Sequence, residues 1–381
     1  MTIYLDNSAT SFPKPKQVGK AITDLLTKTG GSFGRSQSAQ THSLERTIYD
    51  TRKDIANFFN FKHPDHVVFT KNITESINLL LYGFLNAGDH VVISSLEHNA
   101  TVRPLEGLCQ TRGITYEVVP CNNEGIIDYL ALERALKKIP KLLMVNHASN
   151  VSGDVQDITL IGELAKRYGV AYFVDAAQTA GVIPVDMQKS NIDVLGFTGH
   201  KALLGPQGIG GLLIHPNLAQ KTNPFIMGGT GSRSEEINQP TLMPDKFESG
   251  TINGVGIVGL KAGMDYLKTL DLEDVHLREC QLIGILQRHL ERLPNVRIIG
   301  NKDPYKRVGI LSVDFMDKDN ALIAHALSKN YGITTRVGLH CSPLAHKTYD
   351  TYPKGTVRFS TSLFNTEKDM ETTVYALLDL L

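Results

Sequence analysis

Tyr172-Phe-Val-Asp175 and, further along, Val194-Leu-Gly-Phe-Thr-Gly-His-Lys201 each open on a short unbroken apolar run and close on polar groups. Runs without alternation are the pattern of strands buried on both faces. Others stand at Val67-Val-Phe69, Val91-Val-Ile93, Ile114 to Val119, Leu142-Leu-Met-Val145 and Gly211-Leu-Leu-Ile214. Between them lie helical patterns, such as Ile77, Leu80, Leu81 and Phe84 on one face. Strands alternating with helices predict an α/β protein with a mainly parallel sheet covered on both sides. Ligands of such sheets gather outside the carboxyl ends of the strands. Asp175 is at one such end, and Thr74, His98 and Asn150 closely follow others.

The pattern changes near residues 255–295. A long helical pattern with Leu282, Ile283, Leu286, Leu290 and Leu293 leads into Val296-Arg-Ile-Ile299 and Gly309 to Phe315. Two more helices, about 318–330 and 367–380, enclose short strands. We therefore expect a large domain over 14–260 and a smaller α+β domain over 261–381, with residues 1–13 packing on the latter. The unpatterned stretch Gly228 to Asn253 is too long for an ordinary connection and is expected to be functional or interfacial.

At 381 residues the chain can bury a sizeable core. Lys+Arg and Asp+Glu number 39 each, so no electrostatic footprint for nucleic acid or an anionic membrane exists. No stretch approaches a membrane span, and Met1-Thr-Ile-Tyr-Leu-Asp6 lacks the basic-then-apolar layout of a signal peptide. A cytoplasmic protein is the expectation. Cys109, Cys121, Cys280 and Cys341 form no CxxC pair, so neither a disulfide framework nor a metal site is expected.

The chemistry centres on Lys201. A lysine there can condense with the aldehyde of pyridoxal 5′-phosphate, and an acid at a neighbouring strand end, Asp175, can keep the pyridine nitrogen protonated. Asp175 read alone would be a helix cap. Gln178, one helical turn on, can hydrogen-bond the phenolate oxygen, and His98 can stack on the ring or be an ordinary loop histidine. Thr74 opens a helix whose N–H groups suit a phosphate, though a plain capping start reads the same way. Gly205-Pro-Gln-Gly-Ile-Gly-Gly211 lets backbone approach a ligand closely but lacks the dinucleotide spacing. A second motif is Arg336-Val-Gly-Leu-His340-Cys341-Ser-Pro343. A thiol beside a histidine and near arginines can act as thiolate; the plainer alternative is an inert buried thiol.

Thr74, His98, Asn150, Asp175, Gln178 and Thr198-Gly-His-Lys201 together resemble the class V aminotransferase family of pyridoxal-phosphate enzymes. Within it the match is to the cysteine desulfurase/selenocysteine lyase branch. The resemblance runs from Tyr4-Leu-Asp-Asn-Ser-Ala-Thr10 to Gly355-Thr-Val-Arg-Phe-Ser360. It implies the aspartate aminotransferase-like fold of pyridoxal-phosphate transferases and a homodimer with the cofactor near the subunit interface. It further implies that Thr198 and His200 bind the phosphate, joined by Gly250 and Thr251 of Phe247-Glu-Ser-Gly-Thr251 from the other subunit. Asn150 would lie near the phenolate oxygen and substrate. Cys341 matches the nucleophilic cysteine and Arg358 the arginine that grips the substrate carboxylate, with Arg336 as a second contact.

The implied activity is conversion of L-cysteine to L-alanine, with a persulfide on Cys341 passed to an acceptor, which can be a protein. Selenocysteine lyase is the nearest alternative; a transaminase, a β-eliminating lyase or a non-catalytic scaffold lie further off. Two departures stand out. The family's asparagine-x-histidine-arginine-glycine segment is replaced by Gly31-Ser-Phe-Gly-Arg-Ser36, leaving Arg35 and His42 as candidates for its contacts. Leu339 stands where a second histidine is common.

Overall fold

The computed structural model describes residues 2–29 and 39–381. Arg35 and the Gly31–Ser36 segment lie outside the described residues. After β1 (Ile3–Tyr4), α1 (Lys16–Lys28) and α2 (Ala39–Phe58), the chain alternates strands and helices. These are β2 (Val67–Thr70), α3 (Ile73–Phe84), β3 (His90–Ser94), α4 (Asn99–Arg112), β4 (Thr115–Val119), α5 (Tyr129–Leu136) and β5 (Leu142–Asn146). Then come α6 (Ile158–Tyr168), β6 (Ala171–Asp175), β7 (Val194–Thr198), β8 (Gly210–Ile214) and α7 (Pro216–Lys221).

These strands build a seven-stranded sheet in the order β2-β8-β7-β6-β5-β3-β4. All pairs are parallel except those of β8, which runs against both β2 and β7. β5, β7 and β8 are buried at every position, which is why their sequences are continuous rather than alternating. β2 and β4 are the edge strands, and in this sheet β4 alone mixes exposed and buried residues. Because β3, β5, β6 and β7 are parallel, the chain leaves each at the same edge of the sheet. His98, Asn150, Asp175 and Lys201 all lie at those exits.

Two glycines bring α3 to that edge. A Cβ on Gly196 would lie 2.3 Å from Ile73 Cδ1, and one on Gly210 would lie 2.9 Å from Asn72 Cα. Larger residues would push the helix start away from the end of β7.

The second core is carried by α9 (Leu272–Leu290), β9 (Val296–Ile299), β10 (Ile310–Phe315), α10 (Asn320–Tyr331), β11 (Ile333–Thr334) and β12 (Arg336–Gly338). β13 (Thr356–Ser360) and α12 (Glu367–Leu380) complete it; α11 (Pro343–Thr348), between β12 and β13, packs Ala345 in the first core, and α8 (Gly254–Leu267) precedes the second. Its four-stranded antiparallel sheet has the order β12-β13-β10-β9. The period of two along a strand separates its faces. Val357 and Phe359, like Leu311, Val313 and Phe315, pack with α9, α10 and α12. Each fully buried side chain of this size contributes about 1.5–3 kcal/mol. Thr356, Arg358 and Ser360 alternate with them and face the other way; Ser312, next along β10, donates from Oγ to the backbone oxygen of Val151, a first-core residue.

Residues 2–13 touch both cores. β1 pairs in parallel with β11, and Leu5 packs in the second core. The cores interleave along the chain, since Ile299, Ala345 and Tyr349 pack in the first core although they follow α8. Ile257, Leu260, Met264 and Leu267 of α8 all pack in the first core, so a division at 261 would cut a helix. Thr222 to Asn253 contains no helix or strand. Among the described residues no helix is long and apolar enough to cross a membrane. No group of three or more His, Cys, Asp or Glu among them could hold a metal ion.

Candidate active site

Asp175 ends β6, and its register partners are Asn146 on β5 and Gly196 on β7. It is 6% exposed, and burial raises its pKa while the Ala177 N–H and the Lys201 charge oppose the rise. Asp175 Oδ1 accepts from Ala177 N at 2.8 Å, so the capping-type bond is made as well. The chain past Asp175 forms turns rather than a helix, so Gln178 does not stand one helical turn on; its Nε2 donates to Ser8 O at 3.2 Å.

Lys201 lies in the turn after β7 with its pKa lowered to about 8, chiefly by burial and against the pull of Asp175. The N-terminal segment clamps this turn. Ser11 Oγ donates to Lys201 O at 2.7 Å, and Lys14 Nζ donates to His200 O at 2.6 Å. Ser8, Ser11, Gln178, Glu279 and Ser360 line a small cavity with Lys201. A larger cavity, about 610 Å³, is elsewhere: it lies between Phe61, Lys166 and His215, and no residue of this constellation lines it.

His98 caps α4, its Nδ1 accepting from Ala100 N at 3.0 Å. The ring proton is therefore on Nε2. Burial and the nearby Lys201 charge lower its pKa to about 4, so the imidazole is neutral. Thr74 is exposed in the first turn of α3; the cap is Asn72, which accepts from Glu75 N at 3.0 Å. Asn competes better than a residue two places in because an N-cap must be non-helical, and Asn72 is extended. Thr74 is thus left for another role.

The four-stranded sheet and the segments around it supply the remaining groups. Arg358 is 2% exposed; its Nη1 donates to Asn150 O at 2.8 Å and its Nη2 to Asp6 Oδ1 at 3.0 Å. Arg336 is its register partner across β12 and β13 and donates from Nε to Asp6 Oδ2 at 3.2 Å. The pair is no ordinary surface ion pair, since one member is buried.

Cys341 is exposed and sits with φ +59°, next to His340 at φ +48°. Neither is glycine, so the loop holds these left-handed residues against their preference. Asn150 holds it: its Nδ2 donates to His340 O at 2.7 Å and its Oδ1 accepts from Ser342 Oγ at 2.6 Å. One amide hydrogen of Asn150 remains for a ligand. Cys341 O accepts from Asn99 N at 2.8 Å, setting the thiol loop against the start of α4 beside His98.

His340 does not serve the thiol as the motif suggests. Its ring is buried against Thr356 Oγ1 at 3.0 Å, and burial holds its pKa well below the usual histidine range. A neutral, pinned imidazole is not a cationic neighbour. Cys121 and Cys280 are buried with thiol pKa values pushed to about 12 by burial, and they are inert by comparison. His42 is exposed and lies 3.5 Å from Glu45, within its own helix.

Gly250 and Thr251 are exposed and do not line the Lys201 cavity. Thr251 lines a separate cavity of about 160 Å³ with Lys71, Glu75 and Asn253. The segment is fixed behind them: Glu248 pairs with buried Arg52 at 2.5 Å and accepts from Phe69 N at 2.6 Å.

Glu97 escaped the sequence reading because it is adjacent to His98 and reads as a loop acid. It is 1% exposed, with Oε1 accepting from Ser94 Oγ at 2.7 Å and Asn146 N at 2.8 Å. These bonds tie the end of β3 to the end of β5 and so place His98. Burial raises its pKa to about 8. The folded state therefore binds a proton that the unfolded state has lost, and stability falls as pH rises from the ordinary glutamate value through about 8. Glu97→Gln is expected to match the wild type in thermal unfolding near pH 5 and to exceed it by a few degrees, about 3–6 °C, near pH 9. Equal melting temperatures at pH 9 would show that Glu97 is not a buried acid.

The constellation fits pyridoxal phosphate. Thr198 Oγ1 and His200 Nδ1 are buried without a hydrogen-bond partner among the described residues, at the turn where a phosphate would lie. The start of α3 offers N–H groups at the same edge. An amine with a lowered pKa at Lys201 and a buried acid at Asp175 supply the other two requirements.

The Aminotransferase class-V family model matches residues 3–372. A protein of Methanothermobacter thermautotrophicus named a probable cysteine desulfurase is 32% identical, over 97% of this chain and 92% of its own. One of Cronobacter sakazakii named a cysteine desulfurase is 31% identical, over 98% and 92%. The apo structure of a cysteine desulfurase from Thermococcus onnurineus superposes with a TM-score of 0.93 at 31% identity, covering 100% of this chain and 94% of that one. The fold is that of the pyridoxal-phosphate transferases. Matched along nearly its whole length, the chain belongs to the class-V aminotransferase family, whose members depend on pyridoxal phosphate.

Proposed function

We propose that this protein is a cysteine desulfurase that converts L-cysteine to L-alanine and takes the sulfur as a persulfide on Cys341. One observation carries the reading: Asn150 bonds both Arg358 and the Cys341 loop, which joins a carboxylate receptor to an exposed thiol, and the Arg358 charge acts on Lys201.

When bound, pyridoxal phosphate supplies an aldehyde for condensation and a ring that takes up electron density from an amino-acid α-carbon. Lys201 would hold the group and, once released, move a proton at Nζ; a pKa near 8 keeps a useful fraction of neutral amine near neutral pH. Asp175 would hold a proton at the pyridine nitrogen, and neutral His98 would lie flat on the ring. Thr74, Thr198 and His200 would hold the phosphate, and Gln178 and Asn150 would meet the phenolate oxygen. Arg358, with Arg336, would orient the substrate carboxylate. Cys341 Sγ would then form a bond to the substrate sulfur as the substrate's carbon–sulfur bond breaks. The electron pair of that bond stays with carbon, which takes a proton and becomes the methyl group of alanine.

The reading includes a homodimer in which Gly250 and Thr251 complete the partner's phosphate site. Phe225, Ile226, Met227, Ile237 and Leu242 are exposed in the same segment, a surface that a second copy would cover. A persulfide must leave to an acceptor thiol, so a sulfur-acceptor protein is a further expected partner. Unpaired cysteines suit a reducing, cytoplasmic setting. Incubation of the holoenzyme with L-cysteine, alkylation and peptide mass analysis test the reading. A persulfide on Cys341 with equimolar L-alanine is expected; pyruvate and ammonia instead would assign a β-eliminating lyase.

A further inference from the structure

Asp6 stands between the two arginines without a role in the chemistry above. It lies just past β1, bridges to Ser360 on β13 and is 8% exposed. Its two carboxylate oxygens are divided between Arg358 Nη2 at 3.0 Å and Arg336 Nε at 3.2 Å. The sheet forces this meeting, because Arg336 and Arg358 are opposite one another on antiparallel strands. Like charges directly opposite are destabilising, and here one of them is 2% exposed. One carboxylate between two guanidinium groups leaves a net charge of plus one. The hydrogen-bond donors are unbalanced in the same direction. Arg358 gives Nη1 to Asn150 O and Nη2 to Asp6, and its Nε is buried without a partner among the described residues.

We propose that Asp6 is a positioning residue that aims Arg358 and sets the charge of the receptor, restricting it to amino acids with a single carboxylate. The inference rests on the reading that Arg358 receives the amino-acid carboxylate. With Asp6 in place a bound monocarboxylate closes a neutral quartet of two cations and two anions. A second carboxylate on the ligand would then find no uncompensated cation. Asp6→Asn keeps the shape and one acceptor oxygen but leaves the receptor at plus two.

The test is equilibrium binding of L-alanine and of L-aspartate to the pyridoxal-phosphate holoenzyme, read by calorimetry and by the visible absorption band. The wild type is expected to favour L-alanine. Asp6→Asn should shift the affinity ratio toward L-aspartate by about tenfold, and Asp6→Glu should restore most of the wild-type ratio. Arg336→Gln, at a half-exposed position, lowers the receptor charge and should move the ratio the opposite way, which decides the matter should Asp6→Asn not fold. An unchanged ratio in the folded variants, even with both affinities weakened, would overturn the proposal and leave Asp6 a structural anchor. Binding of neither amino acid by the wild type would overturn the reading of the site itself, and this inference with it.

Discussion

Replacement of Lys201 by alanine is expected to abolish the visible band of the holoenzyme and to lower L-cysteine turnover by at least about a thousandfold. No second amine takes its place. Lys14, the other lysine with a pKa pushed down to about 8, donates to Ser11 Oγ and His200 O and is tied to the N-terminal segment. The variant should nonetheless fold. Lys201 has its folded pKa below its unfolded value, so the folded state binds fewer protons between about 8 and the ordinary lysine value. In that interval wild-type stability rises with pH, and below it the buried charge is a burden that alanine removes. Apo Lys201→Ala is thus expected to melt at or above the wild-type temperature at pH 7 and to lose that margin by pH 10. Circular dichroism melts measure this independently of activity. Retention of band and turnover in Lys201→Ala would remove the foundation of the proposed chemistry.

Cys341→Ala should produce the opposite pattern, an intact band with turnover of L-cysteine lowered by at least about a hundredfold. The side chain is exposed, and the loop is held through backbone groups and through Asn150 and Ser342. Stability is therefore expected to stay within about 0.5 kcal/mol of the wild type. Cysteine and alanine both carry a Cβ, so the left-handed backbone costs each of them alike. Sulfide or persulfide release that continues undiminished would exclude Cys341 as the sulfur acceptor. L-Selenocysteine is the informative second substrate. Selenide release that survives in Cys341→Ala, while L-cysteine turnover is lost, would mark a chain able to use both.

His340 shows where adjacency in sequence misleads. Beside a cysteine in a motif it reads as the group that activates the thiol. In the folded chain the left-handed backbone turns the two side chains to different surroundings, His340 into the core against Thr356 and His346, Cys341 outward. Glu97 and Asp6 show the converse. Each reads as an unremarked acid, and each becomes a buried link only when a distant strand end or a pair of arginines arrives beside it.

Strand placement, and with it the ring of residues at the sheet's carboxyl edge, came from the sequence alone, because burial on both faces demands unbroken apolar runs and parallel strands all end at one edge. Lys201, Asp175 and His98 could be chosen on that ground. The tertiary structure decided the rest: that β12 sets Arg336 opposite Arg358, that Asp6 arrives from the other end of the chain to balance them, and that Asn150 fastens the distant thiol loop to the turn after β5. Local periodicity reports only how far each side chain is from water, whereas charge pairing and loop anchoring depend on which remote segments share a wall.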